Sequence, residues 1–206
     1  MRAFPLVILA TILLAGAARA QNLLQNGSFE SPDVPAGTAQ VFPGSIPGWT
    51  DTSFCGIEIQ DNCCGSPSDG AQHVELDSNC SSTIDQTVAT QPGAHYVVSF
   101  DFSPRPGENY NELIVSWNGG QIFDEIKTGS AAQETQWTHY AIAVAATGTS
   151  STVEFSDGGS SSNGAGTYID NLPEPGRSAQ LLAGLLMIAG LARCRRRSAL
   201  SRGIGL

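Results

Sequence analysis

In Gln72-His73-Val74-Glu75-Leu76-Asp77, a potential ligand or proton carrier recurs at every second position. On a strand that spacing sends His73, Glu75 and Asp77 out of one face. Residues i and i+2 stand about 6.8 Å apart along a strand, so three from one strand rarely converge on one ion. The expectation is a solvated outer face. Cysteine chemistry is the second option. Cys55, Cys63, Cys64 and Cys80 lie close together, and Cys194 stands apart. In an exported chain four such cysteines suggest two disulfides, with three connectivities open. A bond between the adjacent Cys63 and Cys64 closes a small strained ring. Each is therefore expected to pair with one of Cys55 and Cys80. A metal–thiolate cluster is the alternative, and an oxidising compartment disfavours it.

Sugar recognition is the third option. It needs an exposed aromatic face with a few converging polar groups. Trp49, Trp117, Trp137 and Tyr110 are the available aromatics. Trp117 shares parity with Leu113 and Val115, which assigns it to a core. Trp49 follows a Pro-Gly turn and either packs over the end of the fold or binds. Trp137 has the opposite parity to Tyr140, Ile142 and Val144, which predicts exposure. Arg105 either clamps a ligand carboxylate or hydroxyl, or pairs with a neighbouring Asp. Trp49, Trp137, Arg105 and Tyr110 are thus the candidate ligand-binding residues. The sequence has no G-x-S-x-G elbow, no H-E-x-x-H and no phosphate-binding glycine loop. The expectation is a non-catalytic protein. A glycoside hydrolase, which needs only two positioned carboxylates, is the enzymatic alternative.

The elements that must position these residues read as strands. Apolar–polar alternation recurs in Gly56–Gln60, Gln72–Asp77, Tyr96–Phe102, Leu113–Trp117, Tyr140–Val144 and Val153–Phe155. Gly, Pro, Asn and Ser turns separate these runs, and residues 21–171 contain no convincing amphipathic helix. Short strands with one apolar face predict an all-β antiparallel sandwich or barrel. Two long polar loops interrupt it. One is 61–68, expected to be pinned by the cysteines. The other is 157–166, rich in Gly and Ser.

Charge narrows the partners. All 19 acidic residues lie between Glu30 and Glu174, where Arg105 and Lys127 are the two basic ones. So acidic a body does not bind nucleic acid by neutralising phosphates. It is suited to cations, and self-repulsion keeps it dissolved.

The ends of the chain carry addresses. Residues 1–20 have a basic start, an apolar stretch and an Ala18-Arg19-Ala20 cleavage site, which is the pattern of a secretory signal peptide. At the other end, Pro173-Glu174-Pro175 precedes an apolar run from Ser178 to Ala192. As a helix that run covers about 22 Å, against a hydrocarbon core of about 30 Å. Arg193, Arg195, Arg196 and Arg197 follow as a positive stop. The arrangement over 172–197 resembles the PEP-CTERM sorting signal of Gram-negative bacteria. That resemblance implies export, transient anchoring in the inner membrane, and handling by an exosortase-type processing enzyme that releases the protein to the cell surface or beyond. One departure is the nine-residue cytoplasmic tail 198–206, where the family usually ends at once.

The body has its own resemblance. NLLQNGSFESP at its start and GTYIDNL at its end resemble the first and last strands of galactose-binding-like jelly rolls, a superfamily that includes many carbohydrate-binding modules. IPGWT, DGAQHVELD, FDFSPRPG and VSWNGG look like those of exported bacterial proteins of unknown function that often carry the same tail. The resemblance spans about 22–171. It implies a jelly-roll β-sandwich, a binding role toward polysaccharide in the cell envelope or matrix, or a purely structural or adhesive one. It also implies a structural calcium between first and last strands, held by Glu30 and Asp170 with backbone carbonyls near Asn26 and Ser28.

Overall fold

The computed structural model describes residues 23–159 and 163–173. The signal peptide, the apolar run and the Arg193–Arg197 stop lie outside the described residues, as does most of the Pro173-Glu174-Pro175 element. Twelve strands form among the described residues: β1 (Thr38–Phe42), β2 (Ser45–Ile46), β3 (Trp49–Asp51), β4 (Ile57–Asp61), β5 (Gln72–Glu75), β6 (Thr83–Ala89), β7 (His95–Ser103), β8 (Asn111–Trp117), β9 (Gly120–Lys127), β10 (Thr138–Ala145), β11 (Ser150–Asp157) and β12 (Tyr168–Asp170). They make two six-stranded sheets, in the orders β1-β4-β5-β12-β7-β10 and β2-β3-β6-β11-β8-β9. Every pairing is antiparallel. The all-β jelly-roll sandwich is therefore present.

Alternation puts the expected side chains between the sheets. Val98, Phe100 and Phe102 of β7 face Leu113 and Val115 of β8 and Val153 and Phe155 of β11 in one core. Its spine is aromatic. Trp49 packs on Phe29 and edge-on to Phe155, and Phe155 meets Phe100 edge-on. Trp49 is 1% exposed and donates its indole N–H to the Asn26 carbonyl at 3.0 Å. It is a core residue and not a ligand platform. The β8–β9 hairpin turns on Asn118 and Gly119, both at positive φ, as a two-residue type I′ turn requires. The two described ends meet: the Leu172 amide donates to the Gly27 carbonyl at 3.0 Å. A side chain at Gly27 would run into Leu172, so that approach needs glycine.

The first β-sheet is also buried over part of its second face, against the expectation for β5. His73 and Glu75 are fully buried and Asp77 nearly so. Period-two spacing does put them on one face, yet loops close over that face and exclude water. His73 packs tilted against Tyr168 at 4.5 Å and meets Trp137 edge-on at 5.7 Å, and neither ring nitrogen has a hydrogen-bond partner. Burial first, and the Arg105 charge second, push its pKa down from 6.5 to about 3.

The loop 61–68 is held differently from expectation. The disulfide joins Cys55 to Cys80, and Cys63 and Cys64 are free thiols. The expected pairing of each with Cys55 or Cys80 is therefore wrong. Cys55 is buried beside Ser81, at the opposite end of β4 from the loop, and already has its partner. Hydrogen bonds pin the loop instead. Tyr168 donates to the Cys64 carbonyl at 3.3 Å, and Thr135 and Trp137 donate to the Ser66 carbonyl at 2.7 and 2.8 Å.

Two predictions follow from this packing. Trp49→Ala should cost about 3–5 kcal/mol in denaturant unfolding, as removal of a large core aromatic does. His73 should make stability fall on the acid side. Its folded pKa lies below its unfolded one, so the unfolded chain takes up a proton that the folded chain refuses. That stability is complete above about pH 6.5 and is lost as pH falls toward 3. His73→Phe keeps a flat ring there. The wild type should lose stability more steeply than this variant by about 1.4 kcal/mol per pH unit across that window. Equal slopes would show that His73 is not buried neutral.

Candidate functional site

The covered face of the first sheet carries the polar residues, and Glu75 is its centre. Arg105 reaches it from the loop after β7 and donates from one Nη to both carboxylate oxygens, at 2.5 and 2.7 Å. The Gly166 amide donates to it at 2.7 Å, and Gln60 of β4 donates to it as well. Arg105 also donates to the Gly164 carbonyl at 3.0 Å. Burial drives the Glu75 carboxyl up to about 8, although Arg105 pulls the other way. Burial is the largest influence on Arg105 and lowers its pKa, but the Glu75 and Tyr168 charges and the Glu75 hydrogen bond together raise it. Arg105 is thus a structural partner of Glu75, where the sequence left a neighbouring Asp or a ligand open.

Asp170 and Glu30 serve the same cover. Asp170 accepts the Ser68 and Asp69 amides at 2.7 and 2.8 Å and the Asn171 amide at 2.7 Å. Burial pushes it up to about 8, although those amides pull the other way. Glu30 accepts the Ala71 and Gln72 amides at 2.8 and 3.0 Å. Asn26 bridges the Ser31 and Pro47 carbonyls, and Ser28 is buried. The two acids therefore converge on one segment, 68–72, and staple it by its N–H groups. Amide hydrogens repel a cation, so the oxygens as they stand fit a loop staple better than a calcium cage. No group of three or more His, Cys, Asp or Glu that could hold a metal occurs among the described residues.

Two openings interrupt the cover. The first is a cleft of about 310 Å³ where the free edges of the two sheets meet, lined by Pro104, Lys127, Thr128, Gln136, Trp137 and Thr138. Trp137 is half-buried, just before β10. Its N–H is committed to Ser66 and the ring meets His73 at a T-shaped angle, two contacts that hold it in place. Lys127 ends β9, and its stem crosses the gap between the sheets. Its ammonium lies 4.7 Å from the Phe102 ring centre and 5.1 Å from that of Tyr140, with no hydrogen-bond acceptor. Burial lowers its pKa. The second opening, of about 380 Å³, is lined by Cys63, Cys64, Ser66, Arg105, Gln133 and Glu134 among others.

Of the four ligand candidates, the structure brings only Trp137 to the first cleft. Trp49 is in the core. Arg105 lines the second opening while bound to Glu75. Tyr110 is exposed and donates to Glu112 at 2.7 Å, lining neither opening. Sequence reasoning missed Lys127, Gln136 and Thr138. A signal for Lys127 is present in the sequence: it is one of two basic residues in the acidic span from Glu30 to Glu174.

Among solved structures, the fold is similar to several carbohydrate-binding modules. A family 16 module aligns with TM-score 0.44 and 20% identity, over 74% of this chain and 98% of that one. A native family 35 module from Clostridium thermocellum aligns with TM-score 0.43 and 12% identity, over 65% and 94%. A CBM35 from Paenibacillus barcinonensis aligns with TM-score 0.40 and 18% identity, over 66% and 96%. At the level of the sequence itself, residues 22–173 match one family throughout, described as protein of unknown function, and the chain belongs to that family, DUF642.

Proposed function

We propose that the protein is a non-catalytic polysaccharide-binding module and that the Trp137–Lys127 cleft takes the sugar. The observation that carries this reading is a fixed indole beside an ammonium that lacks an acceptor. A pyranose ring offers one face of C–H groups and a rim of hydroxyls. The first suits a tryptophan ring, and the second suits Gln136, Thr128 and Thr138. A small rotation of the flexible Lys127 stem brings its charge to the ligand. Sugars that carry a carboxylate gain most from it, in a body otherwise acidic.

The delivery route belongs to the same proposal. The chain is exported by its signal peptide, held briefly at the inner membrane, and processed by an exosortase-type enzyme. Support comes from residues 1–20 and 172–197 of the sequence, and from a Cys55–Cys80 disulfide, which suits an oxidising compartment.

Binding of the full-length protein to neutral and uronate-containing polysaccharides tests the reading. Trp137→Ala should weaken every ligand at least tenfold, which is about 1.4 kcal/mol. Lys127→Met should weaken the acidic ligands selectively and flatten their salt dependence. Retention of all polysaccharides equally by wild type and Trp137→Ala, or by neither, would sink it.

A further inference from the structure

The cysteine pair in the second opening has no place in the sugar-binding reading. Cys63 and Cys64 are adjacent, half-buried, and their sulfurs stand 3.1 Å apart. Both line an open pocket, so a reagent can reach them. The same chain carries an oxidised pair, Cys55–Cys80. Neither Cys63 nor Cys64 has another cysteine to choose among the described residues, because the other two are bonded to each other. We propose that Cys63 and Cys64 close into a vicinal disulfide, a reducible bond in the wall of that pocket whose state sets the loop that holds Trp137.

The chemistry balances by thiol–disulfide exchange. The oxidant is a second disulfide, that of a thiol–disulfide oxidoreductase or of a low-molecular-weight compound such as oxidised glutathione. One cysteine attacks it as thiolate, forms a mixed disulfide and expels one half as a thiolate. The second cysteine then displaces the other half and closes the ring. The two protons lost by the cysteines end on the two expelled thiolates. Burial, and then the neighbouring Cys64, push the Cys63 thiol up to about 12. That shift makes Cys63 the poorer attacking thiol of the two.

Adjacency makes the bond labile. Cα atoms of neighbouring residues lie about 3.8 Å apart, below the usual range for disulfides of about 4.4–6.8 Å. Strained and exposed disulfides are the readily reduced ones, whereas a relaxed buried bond resists. Cys55 is 5% exposed, so the two bonds differ in both respects. The link to Trp137 is short. Gly65 follows the pair and packs so tightly on Thr135 that a side chain there would collide with it. Ser66 comes next, and its carbonyl holds both Thr135 and the Trp137 indole.

Peptide mass mapping of the full-length protein, purified without reductant and alkylated after denaturation, tests the bond with no glycan present, so it stands or falls apart from the sugar reading. The expected result is a Cys63–Cys64 peptide that resists alkylation and is lighter by two hydrogen atoms, with Cys55 joined to Cys80. In graded glutathione buffers the vicinal bond should open first. Its opening should change tryptophan fluorescence in the wild type and not in Trp137→Phe. Cys63→Ser and Cys64→Ser should each leave the other cysteine alkylated. Two alkylated thiols that stay so after incubation with oxidised glutathione or an oxidoreductase overturn the proposal, as does a bond from either cysteine to Cys55, Cys80 or Cys194. An open bond with unchanged fluorescence overturns the link to Trp137.

Discussion

A carboxylate sealed away from water must have its charge answered on the spot, and Glu75 organises the molecule around that requirement. Its donors come from three places in the chain: Gln60 on β4, Arg105 after β7 and Gly166 before β12. Satisfying one buried acid thus docks two loops onto the outer face of the first sheet. Removal of one partner from such a pair typically costs about 3–5 kcal/mol, because the other charge stays buried alone. Replacement of both by apolar groups of the same shape can be neutral. The ion pair therefore specifies where the loops sit more than it adds to stability.

The two openings exist because this cover is in place. Ser68 donates to Asp101, Asp170 holds the amides of Ser68 and Asp69, and Glu30 holds those of Ala71 and Gln72, so the loop from 61 is tied down to β7 and β12. Its Ser66 carbonyl then fixes Trp137. A half-buried indole on a strand end would otherwise sample several rotamers, and ordering it would cost any ligand affinity. Rigidity in the first cleft is therefore borrowed from the polar face beneath it. His73 contributes as a flat, uncharged filler between Tyr168 and Trp137, a role that needs ring shape and not nitrogen chemistry.

The strands were legible because alternation is a local signal, and it reported the inner face of β7, β8, β10 and β11 correctly. The same parity predicted exposure for Trp137, opposite Tyr140, Ile142 and Val144, yet Trp137 is half-buried against His73. The outer face of β5 was not legible. Parity says that His73, Glu75 and Asp77 point together. It does not say whether loops from residues 61, 104 and 163 return to cover them. Polar identity normally stands for water, and here it stands for a buried network. Trp49 illustrates a second limit. A residue beside a Pro-Gly turn has no strand parity to read, and its burial depends on Phe29 and Phe155, far off in sequence. The cysteines show a third. Strain argued against an adjacent pair, yet which sulfurs meet is decided by the path of the chain, and that path gives Cys55 to Cys80.

The meeting of the two described ends has a mechanical side. Leu172 is bonded to Gly27, and Leu23 and Pro173 border the same shallow hollow. The chain enters and leaves the sandwich at one spot. A pull on either terminus is borne first by that contact, while the sheets behind it feel no opposing tug.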